Sequence, residues 1–123
     1  MKIEVSNGEI IDKLTILLIK LKKISCPQKL ANIKNEIKEI YSISESILTK
    51  DSDLFQELLS INSELWAIED SIRNKERLKE FDEQFIELAR LVYKTNDRRA
   101  ELKKIINKSS QSKLFEEKSY DKY

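Results

Sequence analysis

Apolar residues recur along this chain at alternating steps of four and three, the spacing that lays side chains on one face of a helix. Ile10, Leu14, Leu17, Leu21 and Ile24 form the first such stripe, Ile11 and Leu18 widen it, and Ile16 and Ile19 project from the other side. Ser6 and Glu9 make a capping box with Val5 and Ile10 at the staple positions, so the first helix should start near Asn7. A helix apolar on nearly all sides needs cover on nearly all sides, which places it at a bundle centre or in a subunit interface. The junction Ser25-Cys26-Pro27 leads into a second stripe, Leu30, Ile33, Ile37, Ile40, Ser44 and Ile47, in a helix running to about Thr49. After the polar break Thr49–Asp53, which offers several N-caps, a third helix carries Leu54, Leu58, Ile61, Leu65, Ile68 and Ile72 on one face.

Continuing that register reaches Lys75 and Lys79, whereas the next apolar series is Leu78, Phe81, Phe85, Leu88 and Val92. The slip in phase predicts a turn or kink near residues 75 to 82, with Asp82 as the N-cap of a fourth helix that extends to about Asn107. The expected fold is all-α, an antiparallel bundle of three to four long helices with coiled-coil-like packing. Residues 1–108 would form one domain, and 109–123 a C-terminal tail that is either frayed or docked. Helices of about 25 residues reach about 38 Å, long for a chain of this size, and this argues for a homodimer.

Composition supports the helical reading and removes much chemistry. Of 123 residues, one is Gly, one Pro and one Cys, and none is His. That leaves little for tight β-turns or glycine loops, no imidazole base, no intrachain disulfide and no thiolate zinc site, so neither metal nor cofactor is expected. Lone Cys26 reads as a small residue at a helix junction. The 23 basic residues nearly balance the 22 acidic ones, for a net charge of +1, which argues against nucleic acid as a partner. No apolar run approaches the roughly 20 residues that span a bilayer, and no signal-like segment opens the chain, so a cytoplasmic protein without membrane insertion is expected.

The pattern breaks in one informative place. Along the fourth helix, Thr95 or Asn96 and then Arg99 stand where the stripe through Phe85, Leu88 and Val92 calls for apolar residues, and the stripe resumes at Leu102 and Ile106. Burying an amide and a guanidinium costs several kcal/mol unless they are paired. The third helix offers a polar-aromatic stripe, Asn62, Trp66, Glu69, Arg73 and Glu76, with Asp70 beside it. A site between the third and fourth helices would use Arg73, Arg98 or Arg99 to grip an anionic or hydroxyl-rich ligand. Glu69, Asp70 or Asp97 would orient them, and Trp66 or Tyr93 would form a stacking wall. The alternative is a salt-bridge network that only fixes helix register. All five Arg lie between Arg73 and Arg99 in a chain with 18 Lys, a clustering that favours a site. Asp12 and Lys13 are charged residues in an otherwise apolar helix; they read as a solvated face, or, if the helix is buried, Lys13 joins the network. Lys103 and Lys104 read as a solvated face.

Three classes of function follow. The first is a non-enzymatic binding protein for a small anionic ligand, a sugar phosphate included, or for a partner. The second is a small dimeric enzyme acting on a phosphorylated or carboxylated metabolite. Glu9-Ile-Ile-Asp-Lys-Leu14 is superficially similar to the opening helix of the all-helical chorismate mutases, although their basic residues do not map onto this chain one by one. The spacing of Glu64, Glu69 and Asp70 does not reproduce the motif of the all-helical nucleotide pyrophosphatases. The third is a purely structural oligomer.

Five segments carry a further resemblance: Ser6–Leu17, Leu65–Arg73, Phe85–Arg90, Val92–Arg99 and Glu117–Tyr120. Together they resemble a family of short bacterial and phage proteins described as a domain of unknown function. Two departures stand out, Asn7 where the family usually has Pro and Leu18 where it usually has Glu. The resemblance implies no activity. It does imply a gene neighbourhood of glycosyltransferases and surface-polysaccharide enzymes, and hence a partner or sugar-phosphate ligand in that pathway.

Overall fold

A computed structural model describes residues 1–123, and its four helices follow the pattern of the sequence: α1 (Asn7–Lys23), α2 (Pro27–Ile47), α3 (Asp53–Arg77) and α4 (Glu83–Ser109). The starts are set by local chemistry. Ser6 accepts from the Glu9 N–H at 3.2 Å, Ser52 from Phe55 N–H at 3.2 Å, and Asp82 from Phe85 N–H at 3.0 Å. Each satisfies a backbone donor that the first turn leaves free. The capping box at Ser6 is used on one side, and the Glu9 carboxylate holds Lys103 on α4 at 2.7 Å. Helix α2 starts without a side-chain cap, on Pro27, whose fixed φ suits the first turn. The phase slip after Ile72 is a complete turn: Leu78 closes α3, and Lys79 adopts φ 56° before Asp82 opens α4.

Helix α1 is the centre of the bundle, packed against α2, α3 and α4, as its nearly all-round apolar surface requires. The core is Ile11 and Leu14 of α1, Phe55, Leu58 and Ile61 of α3, and Leu102 and Ile106 of α4. Ile37, Ile40 and Ile47 of α2 close one side as partly buried residues. Gly8, Asp12 and the residues between them run past Asn107, Lys103 and Arg99 in descending order, so α1 and α4 are antiparallel. They approach closely at Gly8, where a Cβ would lie 2.6 Å from the Lys103 carbonyl oxygen. The chain's single glycine stands where the two backbones leave no room for a side chain.

Residues 110–123 carry no helix. The tail turns at Gln111, with φ 55°, and runs back along α4. Its root is fixed: the Ser112 N–H donates to the Asn107 carbonyl at 2.8 Å, and Ser112 Oγ accepts from the Asn7 N–H at 3.0 Å. Its outer part is held by Glu116 on Lys103, Glu117 near Lys104, and an edge-on stack of Tyr123 against Tyr93. No helix is long and apolar enough to cross a membrane.

Candidate functional site

Of the two residues at the first break in the α4 stripe, Thr95 is the buried one, at 2 % exposure, while Asn96 and Arg99 are half-buried, and the acidic partner of Arg99 comes from α1. Arg99 donates from Nε to Asp12 Oδ1 at 2.8 Å and from Nη2 to Asp12 Oδ2 at 2.5 Å, a two-pronged pair whose carboxylate is 2 % exposed. Its Nη1 donates to Asn96 Oδ1 at 3.3 Å. From α3, Asn62 donates to Asp12 Oδ1 at 2.9 Å and to Thr15 Oγ1 at 2.8 Å, and Thr15 in turn donates to the Asp12 carbonyl at 2.7 Å. One buried carboxylate thus ties α1 to α3 and α4, and its charge is met by a guanidinium with matching geometry. The hydrogen bonds to Asp12 raise the Arg99 pKa against the opposing effect of burial, so the cation is permanent. A guanidinium has five N–H groups. The three used here leave one each on Nη1 and Nη2, on the edge turned away from Asp12.

Arg99 also lines a cleft of about 680 Å³ between α4, the start of α1 and the tail. Tyr93, Asn96, Asp97, Arg99, Lys103, Lys104 and Asn107 line it from α4, Glu9 from α1, and Glu116, Lys118, Tyr120, Asp121 and Tyr123 from the tail. Lys103 sits between two carboxylates, Glu9 at 2.7 Å and Glu116 at 3.1 Å, with its side chain only 12 % exposed. Burial acts to lower its pKa, but the hydrogen bonds to Glu9 and Glu116 and the field of Asp12 outweigh it and hold the ammonium above its usual value. Conversely, Lys103 holds the Glu116 carboxyl below its usual value. A hydrogen bond to Asp97 pushes the Tyr123 phenol up.

The location differs from the one expected. Of the α3 stripe, only Asn62 joins the seam. Glu69 and Arg73 form an exposed pair on one helix face at 3.1 Å, Trp66 is half-buried, and Asp70 is exposed. Arg98 crosses to Glu64 of α3 at 3.1 Å on the outer surface. Lys13 points out of the bundle to Glu36 of α2 at 3.4 Å, one helical step of about 100° from the buried Asp12. The solvated-face reading of the Asp12–Lys13 pair therefore holds for Lys13 alone, and that of the Lys103–Lys104 pair fails for Lys103. Between α3 and α4 there is a smaller groove of about 400 Å³ near the hairpin, lined by Ser71, Asn74, Lys75 and Gln84 among others, and by none of the expected residues. Among the expected residues, the structure gathers Tyr93, Asn96, Asp97 and Arg99 around one cleft and leaves Lys13, Trp66, Glu69, Asp70, Arg73 and Arg98 outside it.

Sequence reasoning missed Gly8, Asp12, Thr15, Lys103, Asn107 and the tail. A signal existed for the first three: Gly8, Asp12 and Thr15 recur at steps of four and three, a stripe of small and polar residues beside the apolar one. Its meaning depends on α4 lying opposite. No group of three Cys, Asp or Glu side chains is placed to hold a metal ion.

The chain belongs to a family of unknown function, DUF6165, whose model matches residues 1–123. No curated protein and no solved structure matches it.

Proposed function

We propose that the cleft beside α4 binds a small phosphorylated sugar and that the chain is a binding protein. The observation that carries this reading is Arg99, fixed by buried Asp12 and left with two unused N–H groups in the lining of a concave, polar, tyrosine-walled cleft. A guanidinium already locked in place loses little freedom on meeting an anion, which is the advantage of a preorganised site. Lys103 and Lys104 stand one turn further along the same face and supply point charges for the rest of a phosphate. Asn96, Asn107 and Asp97 offer the mixed donors and acceptors that hydroxyl groups need, and the Tyr93 ring offers a flat apolar wall for a sugar face. The volume lies within the range of small-molecule sites. A ligand of this class also fits the surface-polysaccharide setting implied by the family resemblance.

The test uses side chains at the rim, outside the core of the helical bundle. Tyr93 is 42 % exposed and the Lys104 side chain 39 %. Glucose 1-phosphate, as a representative of the class, is expected to raise the melting temperature of the wild type, and Y93A and K104M to weaken that rise while keeping the parent fold. A ligand at about 100 times its Kd contributes about 2.7 kcal/mol, which a melting curve resolves readily. If neither glucose 1-phosphate nor a panel of sugar nucleotides and hexose phosphates shifts the transition, the proposal fails.

A further inference from the structure

The geometry points to Glu116 as a tethered anion that occupies the ligand's place on Lys103, so that the C-terminal tail gates the cleft by competition. This inference rests on the binding reading above and adds its regulation. Lys103 has three N–H groups. Both Glu9 and Glu116 line the cleft, at 2.7 and 3.1 Å from the ammonium, but Glu9 is fixed in α1 whereas Glu116 belongs to the tail. Of the two anions only Glu116 can leave, and its departure frees a second N–H of Lys103 for an incoming phosphate.

The tail is built to let go. Its root is anchored by the buried Ser112, which bonds both Asn7 and Asn107. Beyond that root every residue from 113 to 123 is exposed, and the only large apolar side chains partly covered are Leu114 at 37 % and Phe115 at 47 % exposure, both next to the root. What holds the outer part is the Glu116–Lys103 pair, whose carboxylate is 45 % exposed, the looser Glu117–Lys104 contact, a Tyr123–Asp97 hydrogen bond and one tyrosine edge contact, few and mostly solvent-facing interactions. A segment fixed at one end and weakly docked at the other opens locally without disturbing the core. Electrostatics point the same way. The tail brings two carboxylates and one lysine to the cleft, Glu116 and Asp121 against Lys118, so its departure leaves the site less negative.

The experiment compares full-length wild type, E116Q and E117Q, each titrated with glucose 1-phosphate, with amide hydrogen exchange of residues 113–123 followed alongside. Competition predicts that E116Q binds about two- to fivefold tighter than wild type, the factor that loss of one solvent-accessible ion pair supplies. It also predicts faster tail exchange in the wild type at saturating ligand. E117Q, which removes the same charge from the same segment 3.9 Å from Lys104, is expected to change the affinity less. Equal affinities for wild type and E116Q, an equal gain in E117Q, or slower tail exchange on binding would overturn the gate while leaving the cleft as a site. Absence of binding in all three proteins would overturn both.

Discussion

At the scale of single residues, the fold is most sensitive where charge is deepest. Asp12 is 1 % exposed, while the Arg99 side chain keeps 27 %. The two partners are therefore unequal: a stranded guanidinium can turn toward water in the cleft, whereas a stranded carboxylate has no such escape. R99M is expected to lose about 3–5 kcal/mol of unfolding free energy, the cost of leaving one buried charge unpaired. D12N/R99M should recover part of that loss because the remaining amide carries no charge and still accepts from Asn62. Urea unfolding of the two variants checks the sign; an R99M protein as stable as the parent would contradict the buried pair. Ser44 gives the opposite case. Its hydroxyl is buried on α2 with no hydrogen-bond partner, at a position where the apolar stripe calls for a nonpolar residue. S44A should raise stability by about 1 kcal/mol, since an unsatisfied buried group is removed and little volume is lost. The inward turn of Arg99 was legible from the sequence because it broke a regular stripe. Its partner was not, because Asp12 and Lys13 look alike on paper and differ only by the 100° step that turns one inward and the other out.

Helices and tail differ in how far local sequence specifies them. Ser6 and Asp82 could be read as caps directly, and the break between α3 and α4 followed from the slip in apolar phase, because capping and periodicity are properties of neighbours in sequence. The tail has no period, and its placement depends on contacts with α1 and α4 made far along the chain, so the sequence left frayed and docked as open alternatives. Its docking should respond to pH in two directions. Glu116 has a lowered pKa, so its contribution is complete above the ordinary glutamate value of 4.5 and is lost as pH falls through the folded value beneath it. Lys103 has a raised pKa, so its contribution is complete below the ordinary lysine value of 10.5 and is lost as pH rises through the folded value above it. Between these limits the tail should stay docked. Nuclear Overhauser contacts between the Tyr93 and Tyr123 rings should persist from pH 5 to pH 10 and fade only on acidification below the ordinary glutamate value. Contacts that vanish in the middle of that window would show that the Glu116–Lys103 pair does not hold the tail.

The whole molecule has one end that its own helices do not cover. Equal steps along antiparallel helices from the Asp12–Arg99 pair place Lys23, the last residue of α1, level with about Leu88 of α4. The α3–α4 hairpin beyond that level has no third helix against it. Its tip is well formed: Lys75 bonds Glu80 and Asp82, both at 2.9 Å, and Phe81 meets Phe85 edge to face with ring centres 5.2 Å apart. Yet Leu78, Phe81 and Ile86 are each more than half exposed, a concentration of large apolar side chains at the extremity of a polar surface. If the chain dimerises, this uncovered tip is where we expect two copies to meet. A two-fold contact is self-complementary, so one substitution appears twice in the interface. F81E would set two carboxylates against each other there while leaving the core untouched. Sedimentation should give a mass near two chains for the parent at micromolar concentration and near one chain for F81E, with unchanged far-ultraviolet circular dichroism. A parent of single-chain mass would remove the dimer, and a dimeric F81E would move its interface away from the hairpin.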